Sequence, residues 1–254
     1  MTDITLRRPI NWVTGSKTDR GMVREVNEDA LLVREDIGLW AVADGLGGHA
    51  VGDVASKMLT ESLSELVNER RVSDIVEHAE DQLILANERI LEYTDIMLDN
   101  ATMGSTVVSL IIRDRVGICL WVGDSRLYRL RNNELRQLSR DHSQVQEWID
   151  QGLIRPEEGE NHPQGNVITR AVGVDQQLYV DVTVFDTQVG DSYLLCSDGL
   201  YNVLDRETMS QCLAQPDPQG SVDQLMSLAL GQGAPDNVSI VVVKGEAGRL
   251  ARGA

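Results

Sequence analysis

The spacing of apolar residues changes period several times along this chain. Ala30-Leu31-Leu32-Val33-Arg34 and Leu39-Trp40-Ala41-Val42-Ala43 are short apolar runs that predict strands. The second is bounded by Gly38 and Asp44-Gly45, which fits a strand buried on both faces. From Asp53 the spacing turns helical, with Val54, Met58, Leu59, Leu63, Leu66 and Val67 on one side. A longer stripe follows at Val76, Ala79, Leu83, Ala86, Ile90, Tyr93 and Met97, with Ser73 as the expected N-cap and Met97 expected in the core. Strands return at Thr106–Ile112, Val116–Val122, Leu127–Leu130 and Leu135–Leu138, with hairpin turns at Arg113-Asp114-Arg115 and Asn132-Asn133. A short helix is expected over Ser143–Gly152, then a polar surface segment over Leu153–Asn166. Strands at Val180–Phe185 and Tyr193–Cys196, helices at Arg206–Leu213 and Val222–Leu230 and a strand at Val238–Val243 complete the reading.

Hairpins dominate this order, so the sheets should be mostly antiparallel. Two sheets face to face with helix pairs outside would bury every apolar stripe, an α+β architecture. The 254 residues, 42% hydrophobic and 25% charged, suit one globular domain over residues 1–254. With a single Phe, aliphatic side chains must fill most of the core.

Forty acidic residues against 23 basic ones give a net charge of −17. Such a surface speaks against a nucleic-acid partner, because a phosphate backbone recruits Lys and Arg. The three cysteines, Cys119, Cys196 and Cys212, are far apart and form no Cys-x-x-Cys. They read as reduced structural thiols of a cytoplasmic protein. No basic-then-apolar leader opens the chain, and no run of about 18 apolar residues is present, so no membrane insertion is expected.

Candidate chemistry sits at the predicted strand ends. Asn27-Glu28-Asp29, Asp44-Gly45, Gly123-Asp124-Ser125, Ser197-Asp198-Gly199 and Asp236-Asn237 each place an acid beside Gly, Asn or another acid. Carboxylates gathered this way suit Mg²⁺ or Mn²⁺, which prefer oxygen ligands. Gly45 lets its own carbonyl approach an ion beside the Asp44 carboxylate. Glu28 and Asp29 are neighbours, so on a strand only one of them faces a metal. Arg24 offers a fork suited to phosphate, and His49 titrates near neutrality, which suits proton donation. Each segment also has a plainer reading. Asp44-Gly45 could be a glycine turn with an acidic cap, and Gly123–Ser125 a hairpin between Val122 and Leu127. His49 could be a surface histidine at a helix start.

Taken together, the segments resemble the PPM family, the metal-dependent Ser/Thr protein phosphatases of the 2C type, in its bacterial form. The resemblance runs from about Asn11 to Val243. It rests on Gly-x-x-Arg-x-x-Asn-Glu-Asp (Gly21 to Asp29), Ala-Asp-Gly-x-Gly-Gly-His (Ala43 to His49), Met-Gly-Ser-Thr (Met103 to Thr106) and Gly-Asp-Ser-Arg-x-Tyr (Gly123 to Tyr128). Asp-His-Ser (Asp141 to Ser143), Ile-Thr-Arg-Ala-Val-Gly (Ile168 to Gly173), Ser-Asp-Gly-Leu (Ser197 to Leu200) and Asp236-Asn237 follow in the family's order. Ser105 and Ser139 stand where the family usually has Thr, and Leu46 where it often has Met.

The resemblance implies a four-layer α-β-β-α sandwich with a flap at about residues 143–167. It implies a centre of two Mn²⁺ or Mg²⁺ ions, with Asp44 bridging them. Asp198 and Asp236 would serve one ion, and Glu28 with the Gly45 carbonyl the other. Asp124, with Asp198, would serve a third. Asp29 would hold metal-bound water from behind the ligands, Arg24 would clamp phosphate, His49 would protonate the leaving oxygen, and Asn237 would serve the substrate or stand behind the ligands. The implied activity is hydrolysis of phosphoserine and phosphothreonine in proteins, opposing a bacterial Ser/Thr kinase. The rival readings are a catalytically silent binding module on the same fold and another two-metal hydrolase, such as a phosphodiesterase or nuclease. Intact Glu28, Asp44, Asp198 and Asp236 argue against the first, and the acidic surface against a nuclease.

Overall fold

The computed structural model describes residues 8–47, 51–69, 71–97, 102–159 and 162–248. Its strands form two sheets. One places β1 (Ile10–Asp19), β11 (Val238–Ala247), β10 (Ser192–Cys196), β7 (Arg126–Arg131) and β8 (Glu134–Gln137) side by side in that order. The other orders β2 (Asp29–Arg34), β3 (Leu39–Leu46), β5 (Val107–Arg113), β6 (Val116–Val122) and β9 (Asp181–Asp186). The two-residue β4 (Gly104–Ser105) pairs with the end of β3. All these pairings are antiparallel.

Side chains alternate across each strand, so each sheet has an inner and an outer apolar face. Trp40, Val42 and Leu110 point inward and meet Leu127, Tyr193 and Val241 of the opposite sheet. Leu39, Ala41 and Ala43 point outward under α1 (Gly52–Ser64) and α2 (Val72–Met97), which contribute Leu59, Leu63, Leu83 and Ile90. On the far side, Leu194, Ile240 and Val242 pack under α5 (Asp198–Tyr201), α6 (Arg206–Leu213) and α7 (Pro218–Gly231). Each fully buried Leu, Ile or Val contributes about 1.5–3 kcal/mol, so three such layers supply most of the driving force. The architecture is the expected α+β, four-layer α-β-β-α sandwich. The segment between β8 and β9 carries α3 (Gln144–Asp150), capped by Ser143, and α4 (Pro156–Gly159).

Several local expectations need correction. Gly123-Asp124-Ser125 is not a hairpin, because β6 and β7 belong to opposite sheets and the chain crosses between them there. Met97 is 62% exposed, because the last turns of α2 run past the core below them. Ser73 lies inside α2 and hydrogen-bonds Asp74, while Ile75 rather than Val76 is buried. Helix α7 starts four residues earlier than its apolar stripe, with Asp217 capping and Pro218 in its first turn. The apolar spacing does not mark the edge strand β1, since its polar residues break the alternation.

Candidate active site

One end of the sandwich carries an acidic cleft. Arg24, Glu28, Asp44, Gly45, Asp124, Asp198, Asp236 and Asn237 line it, together with Asn166 and Ile168 from the chain after α4. These residues come from widely separated segments that meet only because strands of both sheets end here. Asp29 lies beneath the floor, so of the adjacent pair Glu28 alone reaches the cleft. His49 lies outside the described residues.

The floor is held by bonds that leave the carboxylates available. Asn237 is buried, and all its side-chain groups are used. Its Oδ1 accepts the Glu28 N–H at 2.8 Å, and its Nδ2 donates to the Arg20 and Val26 carbonyls at 2.9 and 3.0 Å. This staples the Arg20–Glu28 loop to the start of β11. Asn237 also lines the cleft, and its side chain holds the loop behind the acidic residues. The Asp44 carbonyl accepts from Ser105 Oγ at 2.9 Å and from the Thr106 N–H at 2.8 Å. Glycine is required at two corners: a Cβ on Gly45 would collide with the Gly52 carbonyl, and one on Gly199 with the Asn237 carbonyl. The Glu28 Oε1 accepts the Gly52 N–H at 3.2 Å, near the start of α1.

Electrostatically the site is a crowded set of acids. Burial pushes the Asp44 carboxyl well above the usual carboxylate range, and the charges of Asp29, Asp198, Asp124 and Asp236 push it the same way. Burial raises Asp29 to about 7 despite hydrogen bonds from Ser197 and Ser239. It raises Asp124 to about 7 and Asp198 to about 6, with neighbouring acids adding to the shift. Glu28 is also raised, again mainly by burial. Asp29 Oδ1 and Asp198 Oδ1 are buried with no hydrogen-bond partner among the described residues. Such oxygens are costly to bury unless a cation or proton compensates them.

These observations bear on a metal. The donors are carboxylates plus the Gly45 carbonyl, a hard oxygen set without the His or Cys that zinc prefers. The raised proton affinities and orphaned oxygens mark a place where positive charge is missing. The residues fit a hard divalent cation. Among the described residues no three acids, His or Cys already converge as a closed ligand cluster. Asp236 is instead turned onto Arg24 at 2.6 Å, and Glu28 onto the Gly52 N–H.

Sequence reasoning gave no role to several residues that shape the site. Ser197 Oγ donates to Asp29 Oδ2 at 2.8 Å and accepts the Ser239 N–H at 3.0 Å, tying β2 to the opposite sheet. Tyr201 donates to the Asp124 carbonyl at 3.0 Å, and Arg126 stacks on its ring at 3.5 Å while gripping Asp141. Arg126 and Asp141 fall within quoted motifs, but Ser239 and Tyr201 carry no spacing signal.

Residues 22–224 match the family model described as protein phosphatase 2C. The Ser/Thr protein phosphatase PstP of Mycobacterium tuberculosis is 37% identical over 228 residues, covering 89% of this chain but 44% of that protein. The chain thus spans less than half the length of that relative. Among solved structures, PppA of Pseudomonas aeruginosa, described as a key regulatory component of T6SS, aligns with a TM-score of 0.87 at 40% identity. That alignment covers 94% of this chain and 100% of PppA. The catalytic domain of the Ser/Thr protein phosphatase PstP, solved in complex with 2 manganese ions, aligns with a TM-score of 0.84 at 33% identity, covering 93% and 99%. The chain belongs to the protein phosphatase 2C family, the metal-dependent Ser/Thr protein phosphatases, in its bacterial form.

Proposed function

We propose that this protein hydrolyses phosphoserine and phosphothreonine in proteins. The observation that carries the reading is the meeting of Arg24, Glu28, Asp44, Asp124, Asp198 and Asp236 in one cleft. Glu28, Asp44, the Gly45 carbonyl, Asp198 and Asp236 would hold two Mn²⁺ or Mg²⁺ ions, with Asp124 available to a further one. When bound, such ions neutralise phosphate charge and lower the pKa of a water held between them. The PstP catalytic domain with its 2 manganese ions supports Mn²⁺ as the first choice.

The chain's own groups then have separate tasks. Arg24 stands at the cleft lip with its guanidinium half exposed and held by Asp236, so its remaining N–H groups can clamp phosphate oxygens. Asp29, held beneath the floor by Ser197, would act from behind the ligands, orienting water at a bound ion. His49 is the candidate donor of the proton that the departing Ser or Thr oxygen needs. Such phosphoproteins would come from a Ser/Thr kinase that this enzyme would oppose. Among the described residues no helix is long and apolar enough to cross a membrane.

The test is phosphate release from a phosphothreonine peptide with Mn²⁺, with Mg²⁺ and with excess EDTA. Metal-dependent release abolished by EDTA is expected. Folded protein that binds Mn²⁺ yet releases nothing would contradict the reading.

A further inference from the structure

His142 is buried, and its ring is used at both ends. Nδ1 accepts the Gly123 N–H at 3.0 Å, and Nε2 lies 3.1 Å from Asp181 Oδ2. A backbone N–H requires an acceptor, so the proton sits on Nε2 and is donated to Asp181. Burial also holds His142 below its usual range, in keeping with a neutral ring. Its backbone takes part as well: the His142 N–H donates to the Gly123 carbonyl at 2.9 Å, and its carbonyl accepts the Thr169 N–H at 2.8 Å. The ring stacks on Trp121, the last-but-one residue of β6.

Two parts of the cleft meet at this residue. Gly123 precedes Asp124 at the crossover between the sheets, where no strand pairing holds the backbone. On the other side, Ser143 caps α3 and bridges to Ile168, and Ile168 lines the cleft. Asp181 is also held by Arg170 at 3.1 Å, two residues beyond Ile168. We propose that His142 is a positioning residue that fixes the Gly123–Asp124 crossover through Nδ1 and, through Nε2 and the Asp181–Arg170 pair, the chain beyond Ile168 that closes the 143–167 segment. A histidine serves because it alone offers an acceptor and a donor on opposite sides of one rigid ring. The kinetic part of this proposal rests on the phosphatase reading.

Two substitutions separate the two bonds. In His142→Asn the side-chain oxygen can still accept the Gly123 N–H, but nothing reaches Asp181. We expect kcat near wild type, KM for a phosphothreonine peptide raised about tenfold, the scale of one lost hydrogen bond, and faster proteolysis within residues 143–167. In His142→Gln the amide can reach Asp181, but the acceptor beside Gly123 is gone. We expect kcat lowered about tenfold, a higher Mn²⁺ requirement by calorimetry, and KM and proteolysis near wild type. Equal losses in both variants, or lowered melting temperatures with unchanged kinetics per folded molecule, would overturn the proposal. Nitrogen NMR of wild-type His142 should show a bare Nδ1 and a protonated Nε2; the opposite tautomer would also overturn it. If the wild type hydrolysed no phosphopeptide, the phosphatase reading would fail. The tautomer and the proteolysis contrast would still decide the role of His142.

Discussion

Asp44-Gly45 and Asp198-Gly199 share one sequence grammar and end interior strands of opposite sheets, yet the fold holds them differently. Asp44 is fixed through its backbone, by Ser105 of the neighbouring strand β4 and by Thr106 after it, and among the described residues its carboxyl meets only that of Asp198. Asp198 opens α5, its carbonyl accepts the Asn202 N–H at 2.9 Å, and its Oδ2 accepts from Asn202 Nδ2 at 3.1 Å. The proton affinities follow suit: Asp44 is pushed well above the carboxylate range, Asp198 only to about 6. Burial and four neighbouring acids all push Asp44 up, whereas Arg24, Arg126 and a hydrogen bond from Asn202 ease Asp198. That would suit the role proposed for Asp44 as a ligand shared by two cations.

The largest effect expected from breaking this contrast is on activity. Asp44→Asn and Asp198→Asn should each lower kcat by at least about a thousandfold, with Asp44→Asn the more severe. Circular dichroism should show the fold retained, because removing one acid from a repelling cluster relieves the metal-free state. Near-normal turnover in either variant would sink the ligand assignment.

Next in size is the staple that both corners depend on. Asn237→Ala removes three side-chain hydrogen bonds, and at about 1 kcal/mol each should destabilise the fold by about 3 kcal/mol. Gly199→Ala should cost about 1–3 kcal/mol through the clash with the Asn237 carbonyl. Urea unfolding of both variants checks these values; midpoints equal to wild type would show that the floor is not held as described.

A smaller effect concerns pH. Asp29, Asp124 and Asp198 hold protons in the folded, metal-free protein up to about 7, 7 and 6, whereas unfolded Asp releases them near about 3.9. Between those values the folded state binds more protons, so stability falls as pH rises through the window. EDTA-treated protein should therefore melt lower at pH 8 than at pH 5, and saturating Mn²⁺ should remove the difference. A metal-free melting temperature that rises from pH 5 to pH 8 would contradict the electrostatic account. The smallest effect is expected far from the cleft: breaking the exposed Lys17–Asp223 pair with Lys17→Ala should change stability by less than about 1 kcal/mol.

Much of this was legible in the chain. The buried run Leu39–Ala43 and the stripe from Ala79 to Ile90 announced their layers, because each element's burial has one dominant period. The acids beside Gly and Asn announced the cleft for a related reason: strand ends are the places where a sandwich can expose carboxylates without unpairing a sheet. What escaped was whatever depends on pairing between distant segments. Gly123–Ser125 reads as a hairpin until the two sheets are known to claim its flanking strands separately. Ser239, inside an apolar run, holds Ser197 and through it Asp29 only once β10 and β11 lie side by side. The Arg24–Asp236 pair likewise joins residues 212 positions apart.

The central claim is that the cleft carboxylates hold divalent cations around Asp44. Titrating Mn²⁺ by calorimetry into metal-stripped wild type and Asp44→Asn tests it most directly. The account predicts binding at more than one site in the wild type and loss of the tight sites in the variant. Equal binding by the two proteins would contradict it.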